Sequence, residues 1–299
     1  MVLIFRFNVY RPKSLDDALE LLDKKAPEVL PIAGGTDILV LMREGVVKFK
    51  GLIDLWPLRR ELAYVKREDG FIRIGALTTI SELGNSFLAS DKRYLGFSDL
   101  THYFATPYIR NLATVGGNIA TAHPLSDVAI LLLTLNAEVR LMSVNSDRWV
   151  PLEGLYIGKR VLRKEPNELI VEVRFKEKPI RSSTSLMKFD RRKAHIMGYV
   201  VVATYAFIDD GVIRDVAIAF DSVSKPYPGR ARLVEEFLKG ETISNEVLNK
   251  AIRDILSKEM IRISDYRATS DYRLHLSGVL LKRSLLKVKE RIEESTYGG

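Results

Sequence analysis

Apolar and polar residues alternate from Phe5 to Tyr10, the period-two pattern of a half-buried strand, and Pro12 ends it. Ser14 then stands where a helix N-cap would, with Asp17 three residues on, and Leu15, Ala18, Leu19 and Leu22 recur at helical spacing. Val29 to Ala33 reads as a short strand broken by Gly34-Gly35. Thr36-Asp37 is placed to cap a helix over Ile38 to Arg43, and Leu52 to Leu55 is another short strand. The opening is therefore β-α-β-α-β.

A second unit begins near Leu58. Phe71 to Gly75 predicts a strand and Thr79 to Leu83 the capped start of a helix. Thr106-Pro107 precedes a segment that ends in Thr114-Val115-Gly116-Gly117-Asn118-Ile119-Ala120, and Ser126-Asp127 caps an apolar helix from Val128 to Leu135. Ala137 to Met142 and Leu169 to Phe175 predict strands. Lys176 to Ser185 is polar, with Pro179 and three serines, and a domain boundary is placed there. Beyond it, Val200 to Ile208 and Val212 to Phe220 predict strands joined by a turn at Asp209-Asp210-Gly211. Ser244 caps a helix carrying Val247, Leu248, Ala251, Ile252 and Ile255. The last helix carries Leu274, Gly278, Leu281, Leu285, Val288 and Ile292 on one stripe. Strands followed by helices give an α+β pattern. The expected division is a first domain over 1–178, itself split into about 1–57 and 58–178, and a second over 179–299.

Composition narrows the classes. Of 299 residues, 46% are hydrophobic and 28% charged, enough for a sizeable core and against intrinsic disorder. The longest apolar run, Val128 to Leu135, is interrupted by Thr134 and is too short to cross a bilayer. Met1 to Arg11 shows no charged segment leading into a long apolar stretch, so no signal peptide and a cytoplasmic location are expected. The absence of cysteine excludes disulfides, a Cys nucleophile and any cysteine-ligated iron–sulfur cluster within this chain. His102, His123, His195 and His275 lie far apart, so no zinc site is expected. The net charge of +8 is scattered, with only short clusters such as Arg191-Arg192-Lys193, which argues against a nucleic-acid face.

The chemistry sits at two glycine pairs, Ala33-Gly34-Gly35-Thr36-Asp37 and Thr114-Val115-Gly116-Gly117-Asn118. Glycine has no Cβ, so the backbone can take positive φ and approach a ligand closely. A turn of bare N–H groups beside a helix N-terminus suits a diphosphate. Neither pair is a GxGxxG or GxxxxGK[ST] motif, so a Rossmann or P-loop site is not supported. Either pair alone reads as a structural turn; two of them, both beside Thr, Asn or Asp, shift the reading toward a bound phosphate ester.

Together, Pro31-Ile32-Ala33-Gly34-Gly35-Thr36-Asp37-Ile38 and Thr114 to Ala120 resemble the two FAD-binding signatures of the medium, flavoprotein subunit of molybdenum hydroxylases. That family includes carbon monoxide dehydrogenase, xanthine dehydrogenase and archaeal aldehyde and glyceraldehyde dehydrogenases. Further segments are similar to family segments: Ile74 to Thr79, Pro124 to Asp127, Lys188 to Arg192, and Ser264 to Ala268 through Tyr272-Arg273 to Leu281-Lys282-Arg283, the last as a C-terminal helix signature. The resemblance implies a two-part FAD-binding module of the vanillyl-alcohol oxidase and xanthine dehydrogenase type, followed by an α+β C-terminal domain. It implies that residues 31–38 wrap the FAD diphosphate and that 114–118 form a second wall near the ribityl and diphosphate. Asp127 would then face cofactor hydroxyls, Phe104 would lie near the cofactor, and Lys188 near the isoalloxazine, where a cation stabilises a reduced anionic flavin. Each has a plainer reading. Phe104 can be core, Asp127 an N-cap, Lys188 a solvated strand residue, His123 an incidental loop histidine, His195 an exposed one, and Arg191-Arg192 a solvated pair.

The implied function is an FAD-binding electron-transfer subunit. An iron–sulfur small subunit and a molybdenum-cofactor large subunit would be its partners, in a heterotrimer or its dimer. The lack of cysteine fits clusters borne on another chain. The alternative is a stand-alone FAD-dependent oxidoreductase acting on a small substrate, which needs an acid/base group that the sequence does not offer. A third is a basic, non-enzymatic binding protein.

Overall fold

The computed structural model describes residues 7–190, 198–221, 225–261 and 263–297. The expected positions Phe5, Arg6, Arg191, Arg192, Lys193 and His195 lie outside the described residues. Three short parallel strands open the chain, Asn8–Tyr10, Gly51–Asp54 and Val29–Ile32 in that spatial order. Parallel neighbours need a crossover, and the helix Leu15–Lys25 is one of the two that supply it. Its start is fixed as expected: the Ser14 hydroxyl accepts the Asp17 N–H at 3.1 Å, and Ala18, Leu19 and Leu22 turn inward. The helix Ile38–Arg43 also forms, but not by the expected cap. The Asp37 side chain makes no cap bond and is engaged elsewhere.

The second sheet has five strands in the order Val65–Glu68, Phe71–Gly75, Leu169–Lys176, Glu138–Ser143, Ser146–Pro151, all antiparallel. Its middle strand returns from far along the chain, so the connection between Gly75 and Glu138 holds most of the unit's helices. Thr79 and Glu82 form a reciprocal capping box on the helix Ile80–Gly84. The helix Asp127–Thr134 is buried all round, as an element apolar on every side must be, and is the axis of the central core.

A third sheet runs Ser182–Phe189, Val200–Asp209, Val212–Phe220, Gly229–Arg230. The two long strands are joined by Asp210 (φ 52°) and Gly211 (φ 74°), the two left-handed residues that a tight hairpin turn requires. One face, with Leu186, Val201, Ala203, Tyr205, Ala217 and Ala219, joins the central core under the helix Asp127–Thr134. The other, with Val200, Val202, Ile218 and Phe220, packs on the C-terminal helices, chiefly Ser270–Tyr297. The polar stretch Lys176 to Ser185 is half strand: Ser182, Ser183, Thr184 and Ser185 are all buried. Three of their hydroxyls have backbone work to do, Ser182 on the Pro179 carbonyl, Ser183 on Lys92 and Thr184 on Arg93. Ser264 to Ala268, read as part of a helix signature, is the loop before that helix. Asp265 there accepts from Arg267 and Arg273, and Arg273 also holds the Tyr199 carbonyl at 2.7 Å.

Candidate functional site

Pro31 and Ile32 end the strand Val29–Ile32 and aim the loop Ala33 to Asp37, whose residues are all half-buried, as is Ile38 at the first helical position. Gly35 takes φ +71°, a left-handed conformation that side chains resist. A Cβ on Gly34 would collide with the carbonyl of Leu112, so the first loop lies directly on the segment leading into the second glycine pair. Among the described residues, the backbone N–H groups of Gly34, Gly35, Thr36 and Asp37 donate to nothing. Four successive unpaired N–H groups in a turning backbone make an anion-binding concavity.

The second pair is built differently. Thr114 caps the helix Val115–Ala120 by accepting the Gly117 N–H at 3.1 Å. The Val115 N–H goes to the Thr78 carbonyl at 3.0 Å and that of Gly116 to Ala76 at 2.8 Å. The expected bare turn is therefore a packed helical turn with its N–H groups taken, and the Val115 side chain is fully in the core. What this wall presents is side chain. Asn118 is half-buried, its Oδ1 has no partner, and the Ser126 hydroxyl reaches its carbonyl at 3.3 Å.

Asp127 does not act as an N-cap. Ser126 holds that position without a side-chain bond, and Asp127 is the first residue of the helix. Its Oδ2 accepts from Lys188 Nζ at 2.9 Å, with side chains 6% and 7% exposed, so neither is a solvated surface group. Asp127 Oδ1 is buried with no partner. Behind this pair Asp221 is wholly buried; the loss of water pushes its carboxyl up to about 8, against the pull of Arg273 and Lys188. Phe104 ends the helix Gly96–Tyr103 and packs on the central core, while its carbonyl and that of Ala105 accept from Arg110.

Sequence reasoning passed over Arg160. At the tip of the hairpin Tyr156–Gly158 and Val161–Leu162, it donates to Asp37 Oδ2 at 3.0 Å, and its N–H goes to the Ala122 carbonyl at 2.9 Å. No spacing could have announced it, because its partners lie far away in sequence. His123, next to Ala122, accepts the Leu125 N–H on Nδ1 at 3.0 Å; burial first, then the nearby Arg160, holds its pKa below the ordinary value. The structure thus brings residues 33–37, 112–118, 122–127, Arg160 and Lys188 into one region. It supplies donors for an anion at one end and acceptors for hydroxyls (Asn118 Oδ1, Asp127 Oδ1) at the other. FAD, a diphosphate joined to a polyhydroxyl chain, matches that donor set. Among the described residues no group of metal-ligating side chains stands together, and no helix is long and apolar enough to cross a membrane.

Comparison with known proteins covers nearly the whole chain. Residues 5–175 match the family described as the FAD binding domain in molybdopterin dehydrogenase, and 185–288 match the CO dehydrogenase flavoprotein C-terminal domain. The chain is 28% identical over 283 residues to the putative xanthine dehydrogenase FAD-binding subunit of Escherichia coli, covering 94% of this chain and 95% of that protein. It is 28% identical over 288 residues to the carbon monoxide dehydrogenase medium chain of Afipia carboxidovorans, covering 95% and 97%. Among solved structures it is similar to a chain of the carbon monoxide dehydrogenase from Hydrogenophaga pseudoflava that lacks the Mo-pyranopterin moiety of the molybdenum cofactor. There the TM-score is 0.90 at 27% identity, covering 96% of this chain and 98% of that one.

Proposed function

The chain belongs to the family of FAD-binding domains of molybdopterin dehydrogenases, and from that premise we propose that it is the FAD-binding electron-transfer subunit of a molybdenum hydroxylase. The observation that carries this reading is the loop Gly34 to Asp37, with four unpaired N–H groups, set against a wall whose buried acceptors lack partners. When bound, FAD supplies the redox chemistry, taking electrons from [2Fe–2S] clusters of a partner subunit and passing them to an external acceptor.

This chain's residues place and tune it. Pro31, Ile32, Ala33, Gly34, Gly35, Thr36, Asp37 and Ile38 would wrap the diphosphate. Thr114, Val115, Gly116 and Gly117 would set the shape of the second wall, and Asn118 and Asp127 would accept from hydroxyls. Phe104 would close the side toward the core. Lys188, already bonded to Asp127, would present a cation whose charge is partly balanced. Such a pair damps the pull on a reduced, anionic ring compared with a lone lysine. The division into 1–178 and 179–299 and a cytoplasmic location belong to this reading.

The partners are an iron–sulfur small subunit and a molybdenum-cofactor large subunit. Relatives matched along nearly their whole length are named as a subunit and a medium chain, which favours a complex over a stand-alone flavoenzyme. The test is the absorption spectrum of the purified chain, repeated after adding FAD and desalting. Flavin bands that survive desalting support the reading. A colourless chain, both alone and when purified with its cluster-bearing and molybdenum-bearing partners, sinks it.

A further inference from the structure

Two residues without glycine's freedom are held in the left-handed region beside the first loop: Ala122 at φ 42° and Arg160 at φ 60°. Such conformations cost on the order of 1–3 kcal/mol each and persist only where the surroundings over-determine them. Here they face each other across one hydrogen bond, from the Arg160 N–H to the Ala122 carbonyl at 2.9 Å. That bond turns the hairpin tip so that the Arg160 side chain reaches Asp37 Oδ2 at 3.0 Å. Three segments remote in sequence are clipped at one residue.

Asp37 is the one carboxylate in residues 31–38. It ends the row of unpaired N–H groups that would receive a diphosphate. An unpaired carboxylate there would oppose the very anion the N–H groups attract. The pair is 26% and 34% exposed, so solvent screens part of that repulsion and leaves the rest. Lys159 and Arg267 add positive charge around His123, whose own pKa burial holds below the ordinary value. Arg160 is the cation that is actually bonded to the carboxylate.

We propose that Arg160 is a positioning residue for the diphosphate of a dinucleotide: by pairing with Asp37 it keeps that carboxylate from opposing the anion at the N–H groups of Gly34 to Asp37. The inference rests on the flavin reading above. It makes Asp37 a liability whenever Arg160 is absent, which a merely structural clip would not do.

The experiment uses the full chain and measures FAD affinity and melting temperature for wild type, R160Q, R160K and the double variant R160Q/D37N. R160Q should weaken FAD about tenfold, the scale of losing one partner of a part-buried charge pair. R160K should keep part of the affinity, since a point charge replaces a fork. The double variant should recover most of what R160Q loses, because the opposing carboxylate is gone, even though the clip is not rebuilt. Wild-type affinity in R160Q, or a double variant as weak as R160Q, overturns the proposal and leaves the flavin reading standing. A wild-type chain that binds no FAD, with or without partner subunits, takes both down.

Discussion

The two glycine pairs share a dipeptide and little of its physics. At Gly34-Gly35 the backbone turns left-handed, is half-buried, and leaves its N–H groups unpaired. At Gly116-Gly117 the backbone is a helical turn, and its N–H groups end on Ala76 and on the Thr114 hydroxyl. Both pairs exist because something comes too close for a Cβ: the Leu112 backbone at Gly34, and Ala76, whose Cβ would be 2.7 Å away, at Gly116. A glycine pair therefore reports close approach of backbone, and not by itself a ligand. What separates a cradle from a packing contact is where the hydrogen bonds go.

The largest effect on flavin binding that tests this contrast is at Gly34. Gly34→Ala has no room without parting the first loop from Leu112, so it should abolish FAD retention and destabilise at the upper end of the about 1–3 kcal/mol typical of overpacking. Retained flavin in a folded G34A chain would erase the distinction between the two pairs.

Behind the Asp127–Lys188 pair lies a signature that the open loop lacks. Asp221, raised to about 8 by burial, keeps its proton in the folded chain and loses it near the ordinary carboxylate range when unfolded. Its stabilising contribution is full below that ordinary range and drains away as pH rises to about 8. Between those limits wild-type stability should fall against Asp221→Asn by about 1.4 kcal/mol per pH unit. Parallel stability curves for the two proteins from pH 5 to 8 would show that Asp221 does not hold its proton. Next in size, Gly116→Ala should cost about 1–3 kcal/mol of stability through Ala76, yet lower FAD affinity per folded molecule far less than Gly34→Ala does, since it shifts the wall and spares the row of N–H groups. A loss of affinity as large as that of G34A would make the second pair a cradle after all.

How much of this was legible depended on the range of the interactions. The Ser14 cap, the Thr79–Glu82 capping box and the Asp210-Gly211 turn are settled by residues within four positions, and the sequence pattern reads them directly. Lys176 to Ser185 reads as a polar stretch, yet its second half, Ser182 to Ser185, is buried strand because Ser183 and Thr184 satisfy carbonyls at Lys92 and Arg93, some ninety residues earlier. Thr36-Asp37 looked like a cap because nothing local shows that Arg160 claims the carboxylate. In the same way Asp127 looked like a cap until Lys188 was folded against it. The glycine signatures were visible as motifs. Which of them keeps free N–H groups was not, since Thr78 and Ala76 lie on a separate segment.

The smallest effect is at Thr114. Its hydroxyl accepts the Gly117 N–H at 3.1 Å, and a Cβ on Gly117 would meet only that oxygen, at 2.8 Å. Thr114→Ala removes a cap and should cost about 1 kcal/mol, as N-cap losses do. It also frees the Gly117 N–H. If the second wall is packing alone, that N–H takes water or stays idle, and FAD affinity per folded molecule does not change. If instead the wall differs from the first loop only because Thr114 occupies its donor, the freed group joins the anion site, and affinity rises as stability falls. Titrating FAD into T114A and wild type at matched folded fractions separates the two, and a rise in affinity would show that one hydroxyl decides which glycine pair is the cradle.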